Sequence, residues 1–207
     1  MRKVFFIGSN KTGTTTFHRT FLKAGLRAYH NPEWTTYSHK CANAFFDARD
    51  VFSDGAGNVN IEWLDKNYDG FFILNTRNVK EWAISRWNHA ERNKNSKNYR
   101  RKYPNGFLHN DVNDVMEWIR ERNNYHITSM EYFKDKKNFV ILNITTESSQ
   151  VILQKLSRAS GKSIKSLSTS NVVQKLKSYN KNPRAVNVAL KRLRIGPSKF
   201  NEIILNV

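Results

Sequence analysis

The stretch Gly8-Ser9-Asn10-Lys11-Thr12-Gly13 carries one lysine between two glycines, and Thr14, Thr15 and Thr16 follow it directly. Glycines let a chain turn tightly enough for several backbone N–H groups to converge, and an ammonium and three hydroxyls add charge and donors. Such a set binds an anion, above all a phosphate. The loop order used for nucleotide hydrolysis, G-x-x-x-x-G-K-[ST], places the lysine after the second glycine. Here Lys11 comes two residues before Gly13. Its side chain starts inside the loop and can reach the far end of a bound phosphate chain. Ser9, Asn10, Lys11, Thr12, Gly13, Thr14, Thr15 and Thr16 are therefore the candidate anion-binding residues.

Two further groups could do chemistry. Arg77 ends the apolar run FFILNTR, and Ser85 follows eight residues later. An arginine at the end of a strand and a serine on the next helix can converge on one anion. Each also has a plainer reading: Arg77 paired with Glu81, and Ser85 on a helix surface. Proton acceptors are offered by His30 and Glu33 in YHNPEW and by Asp54 in DVFSDGAG. His30 starts from an unperturbed pKa of about 6.5, suited to a base. Asp54 could instead be a turn residue that caps a helix near Ile61 to Leu64. Trp34, Tyr37, Trp63 and Tyr103 are available as an aromatic wall for an acceptor.

These residues need elements to hold them. Lys3 to Ile7 is a β-branched and aromatic run, the pattern of a buried strand, and Gly8 ends it. Phe17, Phe21 and Leu22 give Thr14 to Ala24 a helical spacing, with Gly25 as its C-cap. A second strand spans Leu26 to Tyr29. Phe71 to Leu74 and Phe139 to Ile144 read as further strands, followed by helices over Val79 to Arg92 and Val151 to Leu156. Asn113 to Lys134 reads as a long helix, Tyr99 to Asn110 as a surface loop. The tail from Ser160 is basic, with helical stretches at Val172 to Leu176 and Ala185 to Leu193. Repeated strand-then-helix units predict an α/β fold: a central parallel sheet covered on both faces, three layers αβα. No linker divides the 207 residues, so one domain is expected over 1–207, with a mostly helical basic part from about residue 147.

Composition narrows the class. A 39% hydrophobic content with 13% aromatics argues against disorder. No apolar run is long enough to cross a membrane, and VFFIG is too short for a signal peptide. Cys41 is the single cysteine and forms no internal disulfide, and no Cys/His cluster has metal-ligand spacing. The chain reads as cytoplasmic. Its net charge of +18 favours polyanionic partners, and no acidic residue lies between Glu147 and Glu202.

Hydrolysis of a nucleoside triphosphate would need Mg²⁺, held by a loop hydroxyl and an acid that ends an apolar strand. The runs FFILNTR and FVILNIT place Asn75 and Asn143 there instead. No metal ligand is expected at this site.

GSNKTGTTT resembles the 5′-phosphosulfate loop of sulfotransferases that use 3′-phosphoadenosine 5′-phosphosulfate (PAPS). FFILNTRNVKEWAISRWNH resembles their second signature, a strand ending in Arg and a helix with Ser eight residues on. The match covers roughly the first ninety residues; beyond them, FVILNIT and its helix resemble the later family strand. The resemblance implies the P-loop-like sulfotransferase architecture. It further implies a metal-independent, in-line transfer of a sulfuryl group from PAPS to a hydroxyl or amine, releasing 3′,5′-ADP. Lys11 would stabilise the leaving group, Thr14, Thr15 and Thr16 would hold the 5′-phosphate, and Arg77 and Ser85 the 3′-phosphate. Family members place a base at either of two positions, which here hold His30 or Glu33 and Asp54. Asp54 has the better placement, although glycines follow it where the family carries a proline.

The acceptor is expected to be a small molecule or carbohydrate, with the basic surface favouring an anionic one. Two rival classes remain: a P-loop phosphotransferase or kinase, and a basic nucleic-acid-binding protein. The latter would use the run RNKNSKNYRRKY and the tail, but it leaves KTGTTT unexplained and so argues against nucleic acid as the partner.

Overall fold

A computed structural model describes residues 2–55, 58–93, 112–168 and 183–207. In chain order the elements are β1 (Lys3–Phe6), α1 (Thr14–Lys23), β2 (Ala28–His30), α2 (Glu33–His39), α3 (Asn43–Asp47) and β3 (Val51–Ser53). There follow α4 (Ile61–Asn67), β4 (Gly70–Thr76), α5 (Val79–Asn93), α6 (Val112–Phe133), β5 (Phe139–Asn143), α7 (Ser149–Ser160) and α8 (Arg184–Arg192). The chain divides into two compact units, Met1–Thr76 with Thr128–Ser170, and Arg77–Ile127 with Asn171–Val207.

The first unit holds a five-stranded, wholly parallel sheet in the order β2-β3-β1-β4-β5. Side chains alternate across a strand, and a parallel sheet must bury both faces. Val4 and Phe6 of β1, with Val51, Phe71 and Ile73 of its neighbours, lie under Phe17 and Phe21 of α1 and Ile152, Leu156 and Ala159 of α7. On the other face Phe5 stacks on Phe52 and on Phe72, each at 5.2 Å between ring centroids. Trp34 of α2 and Phe46 of α3 cover that layer, and Phe133, closing α6, lies 4.8 Å from Phe72. Sheet and helices make the three-layer α/β fold that the strand-then-helix order predicts.

Strand order decides where a ligand can enter. The helix after β1 covers one face, whereas the chain after β4 returns to β5 through Phe133 on the opposite face. Adjacent strands whose connections diverge leave a crevice at their C-terminal ends. The loop after β1 stands there.

The second unit packs α5 and α8 around Val79, Trp82, Ala83, Trp118, Val186, Ala189 and Leu190. Its C-terminal segment is tied down by α6: Asn123 donates to the Leu205 carbonyl at 2.7 Å and accepts from the Leu205 N–H at 2.6 Å. His126 Nδ1 donates to the Ile203 carbonyl at 2.8 Å. Burial pushes this histidine down to about 3, so it sits neutral in the fold.

Several elements differ from the sequence reading. The edge strand runs Ala28–His30 rather than Leu26 to Tyr29, and the unexpected strand β3 lies between it and β1. Asp54 caps no helix: the N-cap of α4 is Asn60, whose side chain accepts from the Trp63 N–H at 3.2 Å. Trp34 is fully buried with its Nε1–H donated to the Ser53 carbonyl at 3.1 Å, so it offers no open wall to an acceptor, whereas Trp63 is half-buried and packs on Phe46. The loop at Tyr99 to Asn110, with Tyr103, and the stretch Val172 to Leu176 fall outside the described residues. Among the described residues, no helix is long and apolar enough to cross a membrane.

Candidate functional site

The loop between β1 and α1 is braced from beneath by one side chain. Asn75, the penultimate residue of β4, is fully buried. Its Oδ1 accepts the Gly8 N–H at 3.0 Å, and its Nδ2 donates to Thr12 Oγ1. Thr12 in turn donates to the Ser9 carbonyl at 2.6 Å. Both ends of the turn are thereby fixed to the neighbouring strand. Gly8 admits no side chain here, since a Cβ would stand 1.9 Å from the Asn75 carbonyl oxygen.

Above this brace, Gly13 adopts the left-handed region, φ +86°, and α1 begins with no side-chain cap and no acidic residue in its first turn. A helix start with these features presents its N–H groups and the positive end of its dipole to whatever anion lies there. Lys11 is itself left-handed at φ +66°, a conformation that costs a non-glycine residue about 1–2 kcal/mol. Asp54, just past the end of β3, is likewise left-handed at φ +67°. Strain of this kind gathers at binding and switching positions, although Cys41 and Arg194 share it.

Both base candidates stand against the start of α1. Asp54 Oδ1 accepts from Thr14 Oγ1 at 3.3 Å. His30 ends β2 in register with Ser53, so the two side chains share the face that α1 covers. The distance from His30 Nδ1 to Ser53 Oγ is 2.9 Å, and from Nε2 to Thr15 Oγ1 it is 3.3 Å. His18, one turn along α1 from Thr15, stacks on the His30 ring at 5.1 Å. His30 is pushed below its ordinary value by burial and by Lys11 and Arg19, with the Asp54 carboxylate pulling the other way. Burial, His30 and Arg19 lower His18 as well. Glu33 accepts from the Tyr29 hydroxyl at 3.4 Å in an exposed position.

Ser9 and Thr14 are buried, whereas Asn10, Lys11, Thr15 and Thr16 are half-exposed along the loop and first helical turn. Arg77 and Ser85 belong to the second unit. Arg77 immediately precedes Asn78 and α5, and its Nε and Nη2 both lie 3.0 Å from Glu81 Oε2. Ser85, half-buried, is one turn beyond Glu81 on the same side of α5. The buried Arg122 donates to the Arg77 carbonyl at 3.1 Å and fixes its backbone.

Asn75, Ser53, His18 and Arg122 escaped the sequence reading. Asn75 alone left a trace there, as the amide that occupies an acid's position.

No protein-family model matches the chain, and no curated protein does. Among solved structures it resembles the crystal structure of a sulfotransferase from Alicyclobacillus acidocaldarius, at 12% sequence identity and a TM-score of 0.55, over 98% of this chain and 99% of that one. An identity so low speaks for the fold alone: the two chains share a three-layer α/β architecture.

Proposed function

We propose that the protein is a sulfotransferase that moves a sulfuryl group from PAPS to a hydroxyl or amine of an acceptor. The observation that carries this reading is the Asn75 brace. At the strand end where a Mg²⁺-ATP site needs a carboxylate, an amide is used on both its sides to hold the loop. An uncapped helix start, a lysine inside the loop and a sulfotransferase architecture support it.

PAPS supplies an activated sulfuryl group and departs as 3′,5′-ADP. The residues of the chain supply the rest. Thr14, Thr15, Thr16 and the loop N–H groups hold the 5′-phosphate, and Lys11 neutralises the charge that grows on the leaving oxygen without a metal. Arg77 and Ser85 hold the 3′-phosphate, which requires Arg77 to exchange Glu81 for the ligand. His30 or Asp54 takes the proton of the acceptor. The acceptor is a small molecule or carbohydrate, and Lys11 and Arg19 near His30 favour an anionic one.

The test is transfer of ³⁵S from labelled PAPS to a panel of phenols, sugars and uronic acids in the presence of EDTA. Transfer that falls ~10²–10³-fold in Lys11→Ala supports the reading. Transfer of ³²P from γ-labelled ATP with Mg²⁺, and none of ³⁵S, would place the protein among phosphotransferases.

A further inference from the structure

The hydrogen bonds around His30 determine which of its nitrogens is free. Ser53 Oγ lies 3.2 Å from the Tyr29 carbonyl oxygen, which can only accept, and the one arrangement that makes hydrogen bonds of both this contact and the one to His30 gives the serine hydrogen to that carbonyl. Toward His30 the serine oxygen has only lone pairs left, and Nδ1, 2.9 Å away, must be the donor. In a neutral imidazole the proton on Nδ1 leaves Nε2 as the acceptor, directed at Thr15 Oγ1. Ser53 is fully buried and paired in register with His30, and His18 stacks on the ring, so the imidazole has little freedom to turn over.

We propose that Ser53 is a positioning residue that fixes His30 as the Nδ1–H tautomer and makes Nε2 the proton-accepting atom of the site. The role assigned to Nε2 rests on the sulfotransferase reading. Thr15 occupies Nε2 until an acceptor hydroxyl takes its place. Nε2 then receives the acceptor proton as the acceptor oxygen bonds sulfur. The bond from sulfur to the bridging oxygen breaks, leaving its electron pair on the 5′-phosphate, where Lys11 meets the charge. The imidazolium so formed lies in the field of Asp54, which stabilises it, and of Lys11 and Arg19, which do not, with His18 stacked on its ring. Asp54 thus acts as partner to the base.

Long-range ¹H–¹⁵N correlation of the histidine rings reads the tautomer with no acceptor present. His30 in the wild type is expected as Nδ1–H at pH 7.5, and Thr15→Val, which leaves Ser53 in place, keeps it so. Ser53→Ala removes the acceptor of that proton and shifts the ring toward Nε2–H. The same substitution lowers sulfuryl transfer ~10-fold or more with an unchanged KM for PAPS, within the 10²–10⁴ a placed base provides. An Nε2–H ring in the wild type overturns the proposal, and the wild-type and Thr15→Val spectra decide this even if Ser53→Ala does not fold. An unchanged Nδ1–H ring in folded Ser53→Ala also overturns it. Calorimetric binding of 3′,5′-ADP to the same samples separates the two claims. An Nδ1–H ring in a protein that does not bind the nucleotide keeps the tautomer and removes its catalytic meaning.

Discussion

Replacing Asn75 with alanine should cost far more than an average buried polar residue, because one amide serves two loop positions. The Gly8 N–H would lose its acceptor while remaining buried, which costs about 1–3 kcal/mol, and the lost bond to Thr12 adds about 0.5–1.5 kcal/mol. The sum is about 1.5–4.5 kcal/mol, a large part of the ~5–15 kcal/mol that holds a typical domain together. Urea unfolding followed by circular dichroism should show the midpoint falling by about 1–2 M at an unchanged slope. Binding of 3′,5′-ADP should weaken with it, since the loop is no longer tied to β4. Asn75→Asp carries a second signature. The carboxylate keeps an acceptor for Gly8 but presents a buried charge to the Thr12 oxygen, whose proton already serves Ser9. Its folded pKa would be raised, so the variant should gain stability relative to wild type as pH falls and the acid becomes a donor. An Asn75→Ala protein within about 0.5 kcal/mol of wild type would refute the brace.

Three other outcomes follow from named contacts. Arg77→Ala should leave stability within about 1 kcal/mol, because its pair with Glu81 is half-exposed, yet weaken 3′,5′-ADP binding at least ~10-fold; urea unfolding and calorimetry on one preparation check both halves. His126 is neutral in the fold with its pKa lowered from 6.5 to about 3, so the unfolded chain takes the proton first as pH falls below 6.5. At about pH 4.5 this removes on the order of 3 kcal/mol of stability, and His126→Gln should lose correspondingly less than wild type between pH 7 and that value. Gly8→Ala should not bind 3′,5′-ADP and should unfold at markedly lower urea, because its Cβ would overlap the Asn75 carbonyl.

Much of this was legible in the sequence wherever apolar residues kept a period. β1, α1, β4, α5, β5 and α7 lie where the strand runs and helical spacings place them, because each spans enough residues to show alternation or a 3.6 repeat. β3 has three residues and takes its identity from pairing with β1 and β2, contacts that no local pattern encodes. The short helices α2 and α3 escaped for the same reason. At the site, the glycines and Lys11 single out the β1–α1 loop as a candidate, while the sequence shows Asn75 only as an amide in an acid's position. Its work depends on β4 lying beside β1, a fact of the sheet order. Likewise His30 and Ser53, distant in sequence, become partners only because two parallel strands pair in that register. The C-terminal tie through Asn123 and His126 is of the same kind, set by residues some eighty positions apart.

The claim on which the account depends is that the loop is built for the 5′-end of a 3′,5′-bisphosphorylated adenosine and needs no metal. Calorimetric titration in EDTA tests it most directly, with 3′,5′-ADP and 5′-AMP injected into the wild type, into Lys11→Ala and into Arg77→Ala, beside Mg²⁺-ATP in a metal-containing buffer. 3′,5′-ADP is expected to bind tighter than 5′-AMP or Mg²⁺-ATP, and each substitution is expected to weaken it. Tighter binding of Mg²⁺-ATP, or no binding of any of the three nucleotides, would contradict it.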